Sequence, residues 1–257
     1  MKITFLGTGT SVGVPVIGCD CPVCTSTDPR NRRRRTSVYV QAAGTSLVVD
    51  TPPDFREQAL ACKVPRVDAV LFTHTHADHV FGLDDLRRYN TIQNSVIPAY
   101  ASANSLADLT RIFDYVLDRN PPSGTFRPQI EFIEIKGPFN AGAIRVTPLE
   151  VIHGPETTLG FRFDAEGRSL GYVPDCHEMP DAAVKALVGV DVMVLDALRY
   201  RPHSTHLTIE QSTAILRRIA AGRSCIIHMC HDVDHEEAQR RLPPGVFVSY
   251  DGLMLEW

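Results

Sequence analysis

The stretch that decides the fold is residues 67–79, which read Val-Asp-Ala-Val-Leu-Phe-Thr-His-Thr-His-Ala-Asp-His. Its first half, residues 67–73, is mostly apolar and predicts a buried strand. Four potential metal ligands follow the strand within six residues: His74, His76, Asp78 and His79. A turn after a strand projects neighbouring side chains in different directions, so the two halves of this run can serve two metals. Two metals about 3.5–4 Å apart can hold both the attacking and the leaving oxygen of an ester. The segment therefore predicts a metal-dependent hydrolase.

A dinuclear site needs more ligands than this turn supplies, and the chain offers them after later predicted strands. His153 follows the predicted strand 144–152, Asp175 follows the apolar residues 171–173, and His228 lies within the predicted strand 225–229. Each of these residues alone is more typical of a buried histidine or a turn aspartate. Together they fill the missing places around two metals.

The composition is that of a globular protein. The 257 residues include 44% hydrophobic and 22% charged side chains, and we expect one domain, 1–257, with a zinc-binding cysteine loop near residues 18–35. No run approaches the roughly 18 apolar residues that cross a bilayer, and the apolar start of the chain is too short for a signal peptide. We expect a cytoplasmic protein without a membrane partner. The net charge of -4 also argues against nucleic acid as a partner.

Secondary-structure patterns predict strands in both halves of the chain with helices between them. A hairpin is predicted over 160–173 with its turn at Glu166 and Gly167, and a helix up to residue 221 opens with the capping pattern Thr208-Ile209-Glu210-Gln211. Further strands are predicted at 2–6, 38–41, 46–49, 129–135, 144–152, 190–195, 224–229 and 246–257, and further helices at 54–62, 83–92, 105–117 and 180–187. This order predicts an α/β protein, an αββα four-layer sandwich.

The ligand order resembles that of the metallo-β-lactamase superfamily. Its motifs are a strand-terminal Asp, then HxHxDH, a lone His, a lone Asp and a final His, which here match Asp50, residues 74–79, His153, Asp175 and His228. The resemblance implies that His74, His76 and His153 hold one metal and that Asp78, His79 and His228 hold the other. It further implies that Asp175 bridges the two metals and that Asp50 orients the histidine turn. The mixed nitrogen and oxygen ligands suit Zn, Mn or Fe.

A second predicted metal site is the cysteine cluster. Cys19, Cys21 and Cys24 lie within six residues, and His231 follows the ligand His228 by three. Three thiolates and one imidazole form a closed tetrahedral zinc site, which is structural rather than catalytic. Spacing alone leaves Cys230 open as the fourth ligand in place of His231.

This combination resembles the phosphodiesterase family of the carbon-phosphorus lyase pathway. The match rests on the glycine-rich residues 7–10, the CxCxxC loop, an arginine-rich segment and the final HxxH. The resemblance implies hydrolysis of a cyclic phosphate on a phosphorylated ribose, with catalytic roles for Asp78, Asp175 and His206. His206 lies just before a predicted helix and would act as the general acid for the leaving oxygen. Arg33, Arg34 and Arg35 would attract the anionic small-molecule substrate at the mouth of the site.

Three alternatives remain on sequence grounds. One keeps the hydrolase and changes its substrate to RNA 3′ ends, cyclic nucleotides or thioesters. Another is a non-hydrolytic relative of the pyrroloquinoline-quinone biosynthesis type, and the last is a zinc-stabilised scaffold. The full set of seven ligands argues against both of the last two. Edge strands favour a homodimer, and His177, His203 and His235 have the neighbours of loops and solvent-facing turns, so we assign them no role.

Overall fold

Two seven-stranded sheets form the centre of the molecule in a computed structural model that describes residues 1–117 and 126–257. Helices flank both sheets, so the predicted αββα sandwich is confirmed. Each sheet is mixed, with antiparallel hairpins on one side and parallel strands on the other. Parallel strands matter here because their carboxyl ends share one edge of the sheet, where loops can bring side chains together.

The first sheet has the strand order β14-β1-β2-β3-β4-β5-β6. Its strands are β1 (Lys2–Gly7), β2 (Ser37–Ala42), β3 (Thr45–Val49), β4 (Ala69–Leu71), β5 (Ile97–Ala101), β6 (Ile130–Glu134) and β14 (Met254–Glu256). The last strand thus pairs antiparallel with the first, Ile3 opposite Leu255.

The second sheet has the order β13-β12-β11-β10-β9-β8-β7. Its strands are β7 (Phe139–Ala141), β8 (Ile144–His153), β9 (Glu156–Ala165), β10 (Arg168–Val173), β11 (Val192–Asp196), β12 (Arg223–Ile227) and β13 (Val246–Val248). Strands β10, β11 and β12 run parallel to one another. Asp196 ends β11, and the loops after β10 and β12 carry Asp175 and His228 to the same edge.

Eight α-helices connect the strands of the described residues. They are α1 (Phe55–Ala61), α2 (Ala77–Val80), α3 (Arg87–Gln93), α4 (Ala103–Ile112), α5 (Asp114–Leu117), α6 (Asp181–Leu187), α7 (Ile209–Ile219) and α8 (His235–Arg241). The predicted capping box is present: the Thr208 hydroxyl accepts from the Gln211 backbone, and the Gln211 side chain accepts from the Thr208 backbone. No helix of the described residues is long and apolar enough to cross a membrane.

The main core lies between the two sheets. Phe5 and Val40 of the first sheet meet Phe161, Phe163 and Tyr172 of the second, all almost inaccessible to solvent. Two further clusters pack each sheet against its own helices. Full burial of such side chains stabilises the fold by roughly 1.5–3 kcal/mol each. This rigid frame fixes the edge that carries the polar loops.

The structure corrects the sequence prediction at the carboxyl-terminal end. Residues 246–257 predict one strand, but the structure has two, β13 and β14, which belong to different sheets. A turn near Asp251 and Gly252 separates them, and Gly252 has a φ of 88°, which favours glycine. The end of the chain therefore crosses from one sheet to the other.

Hydrophobic patterns in the sequence did not predict some short or polar elements. Strand β5 contains Pro98, and β7 has only three residues. Helix α8 buries only His235 and Ala238, so it has no apolar stripe. The predicted helix 105–117 begins two residues earlier, capped by Ser102, and breaks at Phe113.

Candidate metal centre

The histidine turn joins strand β4 to the short helix α2. His76 occupies the N-cap position of this helix, and Asp78 and His79 lie within it. The Nε2 atom of His74 lies 2.9 Å from the Nδ1 atom of His76. One ligand atom from each of His74, His76 and His153 falls within 4.8 Å of the others. The structure therefore brings together the three residues expected at the first metal.

Asp175 lies between this group and the residues expected at the second metal. Its Oδ2 atom is 3.9 Å from the Nε2 atom of His153. Its Oδ1 atom is 3.5 Å from the Nε2 atom of His79 and 3.2 Å from the Nδ1 atom of His228. Asp78 approaches the same His79 nitrogen at 3.4 Å. One carboxylate oxygen thus faces each group, as a bridging ligand requires.

Asp50 fixes the orientation of His79. Its Oδ1 atom accepts the Thr73 backbone N–H at 2.9 Å, and its Oδ2 atom accepts the Thr73 hydroxyl at 2.8 Å. The same Oδ2 lies 2.8 Å from the Nδ1 atom of His79, which leaves Nε2 as the free nitrogen. Asp50 has a φ of 62°, an uncommon conformation outside glycine. This contact is the one that the family resemblance implies.

The glycine-rich segment 7–10 supports His228 from behind. A Cβ atom at Gly9 would lie 2.8 Å from the backbone oxygen of Arg33, so only glycine fits there. The Gly9 carbonyl accepts the hydroxyl of Thr36 at 2.8 Å, and that hydroxyl lies 3.1 Å from the Nδ1 atom of His228. His228 itself has a φ of 63°. The close approach of two backbones therefore positions a ligand.

Buried polar atoms without partners show that the residues fit metal ions. Among the described residues, His79 Nε2 and Asp175 Oδ1 are buried with no hydrogen-bond partner. Burial lowers the pKa of His79, but Asp175, Asp78 and Asp50 outweigh it and hold this pKa well above its usual value. Three buried carboxylates require a compensating positive charge at this place. Imidazole nitrogens and carboxylate oxygens are suitable ligands for a divalent metal.

His206 lies beside this cluster, and its partner Asp196 was missed by sequence reasoning. One ligand atom from each of His153, Asp175 and His206 falls within 4.8 Å of the others. The Nδ1 atom of His206 lies 3.0 Å from the Oδ2 atom of Asp196, which is fully buried. Burial lowers the pKa of His206, but the charge of Asp196 and the hydrogen bond to it raise this pKa to about 9. The sequence offered one signal for Asp196, namely that it directly follows the predicted strand 190–195.

The cysteine loop forms a separate cluster with His231. The Sγ atoms of Cys19, Cys21 and Cys24 lie 3.3, 3.7 and 3.5 Å from the Nδ1 atom of His231. A tetrahedral zinc ion with Zn–S bonds of about 2.3 Å and Zn–N bonds of about 2.0 Å separates its ligands by about 3.6 Å. The Cys24 backbone N–H donates to Cys21 and lowers the pKa of that thiol to about 7. The donor set therefore fits zinc.

Cys230 does not join this cluster in the structure. Its sulfur accepts the backbone N–H of Asp232 at 3.4 Å, while His231 faces the three thiols. Of the two residues that spacing leaves open, the structure brings His231 to the site.

The structure does not place Arg33 where a substrate could meet it, which corrects that expectation. Arg33 is 1% exposed, and its guanidinium donates to the Cys230 carbonyl and the Asn31 side chain. Arg35 pairs with Asp54 at 3.0 Å, and Arg34 approaches Asp251 at 3.9 Å. These arginines line a cavity of about 470 Å³. Among the residues that the structure describes, none of the expected metal ligands lines this cavity. The contacts with Cys230, Asn31, Asp54 and Asp251 fix the position of these arginines.

The three histidines without an assigned role have different environments. His235 was expected in a solvent-facing turn, but it is 4% exposed and begins α8. His177 is half-buried, and its Nδ1 atom accepts the Gly154 backbone N–H. His203 is exposed, and its ring centroid lies 5.3 Å from that of His206.

Comparisons with known proteins agree with this geometry. A family model described as a beta-lactamase superfamily domain matches residues 45–229. A solved structure described as a new diphosphatase from the PhnP family is 40% identical, covers 100% of this chain and 96% of its own, and superposes with a TM-score of 0.91.

Two curated relatives carry other names. The octanoyltransferase of Porphyromonas gingivalis is 36% identical over 98% of this chain, which spans only 51% of that protein. The coenzyme PQQ synthesis protein B of a Methylobacterium species is 28% identical and covers 99% of both chains. The family match, the sandwich and the buried histidine and aspartate cluster lead to one conclusion: this chain belongs to the beta-lactamase superfamily.

Proposed function

We propose that this chain is a dinuclear phosphodiesterase that hydrolyses a cyclic phosphate ester of a phosphorylated ribose or a related small phosphodiester. The observation that carries the proposal is the His206–Asp196 pair beside Asp175 and His153. A buried imidazole held by a carboxylate next to a metal-ligand cluster is suited to protonate a leaving alkoxide. The proposed cofactors are two divalent ions, Zn, Mn or Fe, at the histidine cluster and one structural zinc at the cysteine loop.

Residues of both predicted metal groups have defined tasks in this reaction. His74, His76 and His153 would hold one ion, Asp78, His79 and His228 the other, and Asp175 both. When bound, the two ions lower the pKa of water and offset the negative charge of the phosphoryl oxygens. Asp50 keeps His79 in the tautomer that presents Nε2 to the cluster. We expect substrate binding to place phosphorus between the ligand cluster and His206.

His206 completes the reaction on the leaving-group side. Hydrolysis forms a bond between the water oxygen and phosphorus and breaks the bond between phosphorus and the sugar oxygen. Since Nδ1 of His206 faces Asp196, its Nε2 atom is the one that gives a proton to the departing oxygen. Asp196 is a positioning residue, because it orients the ring and stabilises the protonated form.

The diphosphatase neighbour supports chemistry at phosphorus, since it matches this chain over its full length at 40% identity. The octanoyltransferase relative favours a second candidate, hydrolysis of an acyl thioester, because that protein handles an acyl group and this chain matches half of it. The relative named for PQQ synthesis supports a third candidate, a non-hydrolytic function.

One substrate panel separates these candidates. Purified protein loaded with Mn or Zn is assayed against bis-p-nitrophenyl phosphate, ribose cyclic phosphates, an octanoyl thioester and a β-lactam. We expect turnover of the phosphodiesters, with the ribose cyclic phosphate preferred. Turnover of the thioester alone would establish the second candidate, and no turnover of any phosphodiester would refute the proposal.

A further inference from the structure

The loop 199–205 carries a second histidine to the mouth of the site. His203 is exposed, and its ring lies 5.3 Å from the ring of His206 at an angle of 48°. His206 in turn lies 4.7 Å from the ring of His153, a predicted metal ligand. His203 therefore lies one ring farther from the metal cluster than the predicted general acid.

Hydrogen bonds determine which nitrogen of His203 is available. The backbone N–H of Thr205 donates to Nδ1 at 3.3 Å, and the Thr205 hydroxyl lies 3.0 Å from the same atom. A nitrogen that accepts an N–H carries no proton of its own, so the neutral ring has its proton on Nε2. Within the described residues Nε2 has no hydrogen-bond partner. His203 thus presents one N–H donor to solvent at the mouth.

The loop is braced so that this donor has a fixed direction. The guanidinium of Arg199 donates to the carbonyls of Arg201 and Pro202 at 3.2 and 3.0 Å. At the other end, the Thr205 carbonyl lies 2.8 Å from the Nδ1 atom of His153. A Cβ atom on Gly154 would come within 2.7 Å of the Thr205 side chain, so the loop packs closely on the chain beside the metal ligand.

We propose that His203 is a specificity-determining residue that donates a hydrogen bond from Nε2 to a phosphate oxygen on the leaving group. The inference rests on the proposed phosphodiesterase function, since His206 marks the side on which the leaving oxygen departs. A donor next to His206 and farther from the metals meets atoms beyond the scissile oxygen. On substrates of the proposed class, those atoms carry the second phosphate, either on the sugar or in a diphosphate.

Matched substrates test this assignment in the metal-loaded enzyme. Ribose 1,2-cyclic phosphate is compared with and without a 5-phosphate, ADP-ribose supplies a diphosphate, and bis-p-nitrophenyl phosphate has no second phosphate. For His203→Ala we expect KM to rise about ten-fold or more on substrates with the second phosphate, as loss of a hydrogen bond to a charged group predicts. KM for bis-p-nitrophenyl phosphate and kcat on all substrates should change less than about two-fold. A KM effect on only one of the two phosphorylated substrates identifies the source of the phosphate.

Two further variants separate this role from a structural one. His203→Gln keeps an N–H donor near the position of Nε2 and should recover most of the affinity, whereas His203→Ala should not. His177→Gln is the matched control, because His177 also accepts a backbone N–H at Nδ1. This control should leave the KM ratio between the phosphorylated and unphosphorylated substrates unchanged. Equal effects of His203→Ala on all substrates, or none on any, would refute the assignment.

Binding gives a readout that does not depend on turnover. Ribose 5-phosphate is titrated calorimetrically into the metal-loaded wild type and into His203→Ala, with ribose as the control ligand. We expect the variant to bind ribose 5-phosphate about ten-fold more weakly. Equal affinities would overturn the inference, whereas absent phosphodiester turnover by the wild type would overturn only the proposed reaction.

Discussion

The Nδ1 atom of His206 lies 3.0 Å from the Oδ2 atom of Asp196, and both side chains are buried. The same Oδ2 accepts the backbone N–H groups of Cys176 and Leu207, each at 3.2 Å. Three donors thus converge on one carboxylate oxygen, which links the ends of β10 and β11 to the segment before α7. The backbone bonds to Asp196 hold its carboxylate in place, and Asp196 in turn fixes the orientation of the His206 ring.

Removal of the general acid should depend on the leaving group. For His206→Ala we expect kcat on a ribose cyclic phosphate to fall about 10²–10⁴-fold, since an alkoxide leaves poorly without a proton. The activated ester bis-p-nitrophenyl phosphate should lose less than about ten-fold. Steady-state kinetics on both substrates checks this, and equal losses would contradict a general-acid role for His206.

Substitution of its partner should act through the pH profile. Asp196→Asn removes the charge that raises the pKa of His206, so protonated His206 should be lost at a lower pH than in the wild type. We expect the alkaline limb of kcat for the ribose substrate to move to lower pH and kcat at its optimum to fall about ten-fold or more. Circular dichroism and thermal unfolding show whether the three converging bonds survive. An unmoved alkaline limb in a folded variant would rule out this positioning role.

The contact between Asp50 and His79 should govern metal affinity. Asp50→Asn keeps the size of the side chain but replaces one acceptor oxygen by an NH2 group, which cannot accept hydrogen bonds from Thr73 and His79. We expect the affinity of the histidine cluster for Zn or Mn to fall about 10–100-fold, measured by competition with a chelating dye. Asp68→Asn is a suitable control, because Asp68 accepts from the Ser46 backbone on the same sheet, away from the cluster. Equal metal affinities for both variants would be inconsistent with this role of Asp50.

The cysteine loop should bind one zinc ion independently of the histidine cluster. Cys24→Ser should lower the zinc content by one ion per chain in mass spectrometry. It should also lower the free energy of unfolding by about 2 kcal/mol or more, since structural zinc contributes directly to folding. Cys62→Ser changes a free thiol outside the described cluster and should retain the full zinc content. Unchanged zinc content in Cys24→Ser would exclude this loop as the site.

Burial of His235 should make stability depend on pH. Burial, together with Arg30 and Arg33, lowers the pKa of His235 to about 4. A histidine with a depressed folded-state pKa stabilises the protein above its unfolded pKa of about 6.5, and this contribution is lost as the pH falls toward 4. Between pH 7.5 and 5.0 the loss is about 2 kcal/mol. Urea unfolding of His235→Gln should show a pH dependence smaller by that amount, and an identical pH dependence would contradict the burial of a neutral His235.

The sequence predicted the parts of the fold whose physics is local. The apolar run before His74, the capping box at Thr208 and the turn at Glu166 each depend only on residues close together in the sequence. The structure has all three. The sandwich followed from their order along the chain.

What the sequence could not show depends on contacts between distant segments. Asp196 becomes important only because β11 runs parallel to β10 and β12, and nothing in its neighbours marks it. Arg33 was misplaced because a run of arginines is typical of a solvated surface, whereas here a distant carbonyl at residue 230 receives the guanidinium. The division of residues 246–257 between two sheets likewise requires knowledge of both sheets.

The two predicted metal sites share one short piece of backbone. His228 lies beside Asp175 in the histidine cluster, and His231, three residues later, faces the thiols of the cysteine loop. An ion at either place would restrict the segment between them, and each binding event would then reduce the ordering entropy that the other must overcome. Any coupling free energy between the two sites is the same in both directions, so zinc at the thiols would raise the affinity of the histidine cluster by the same factor as ions at the histidine cluster would raise that of the thiols.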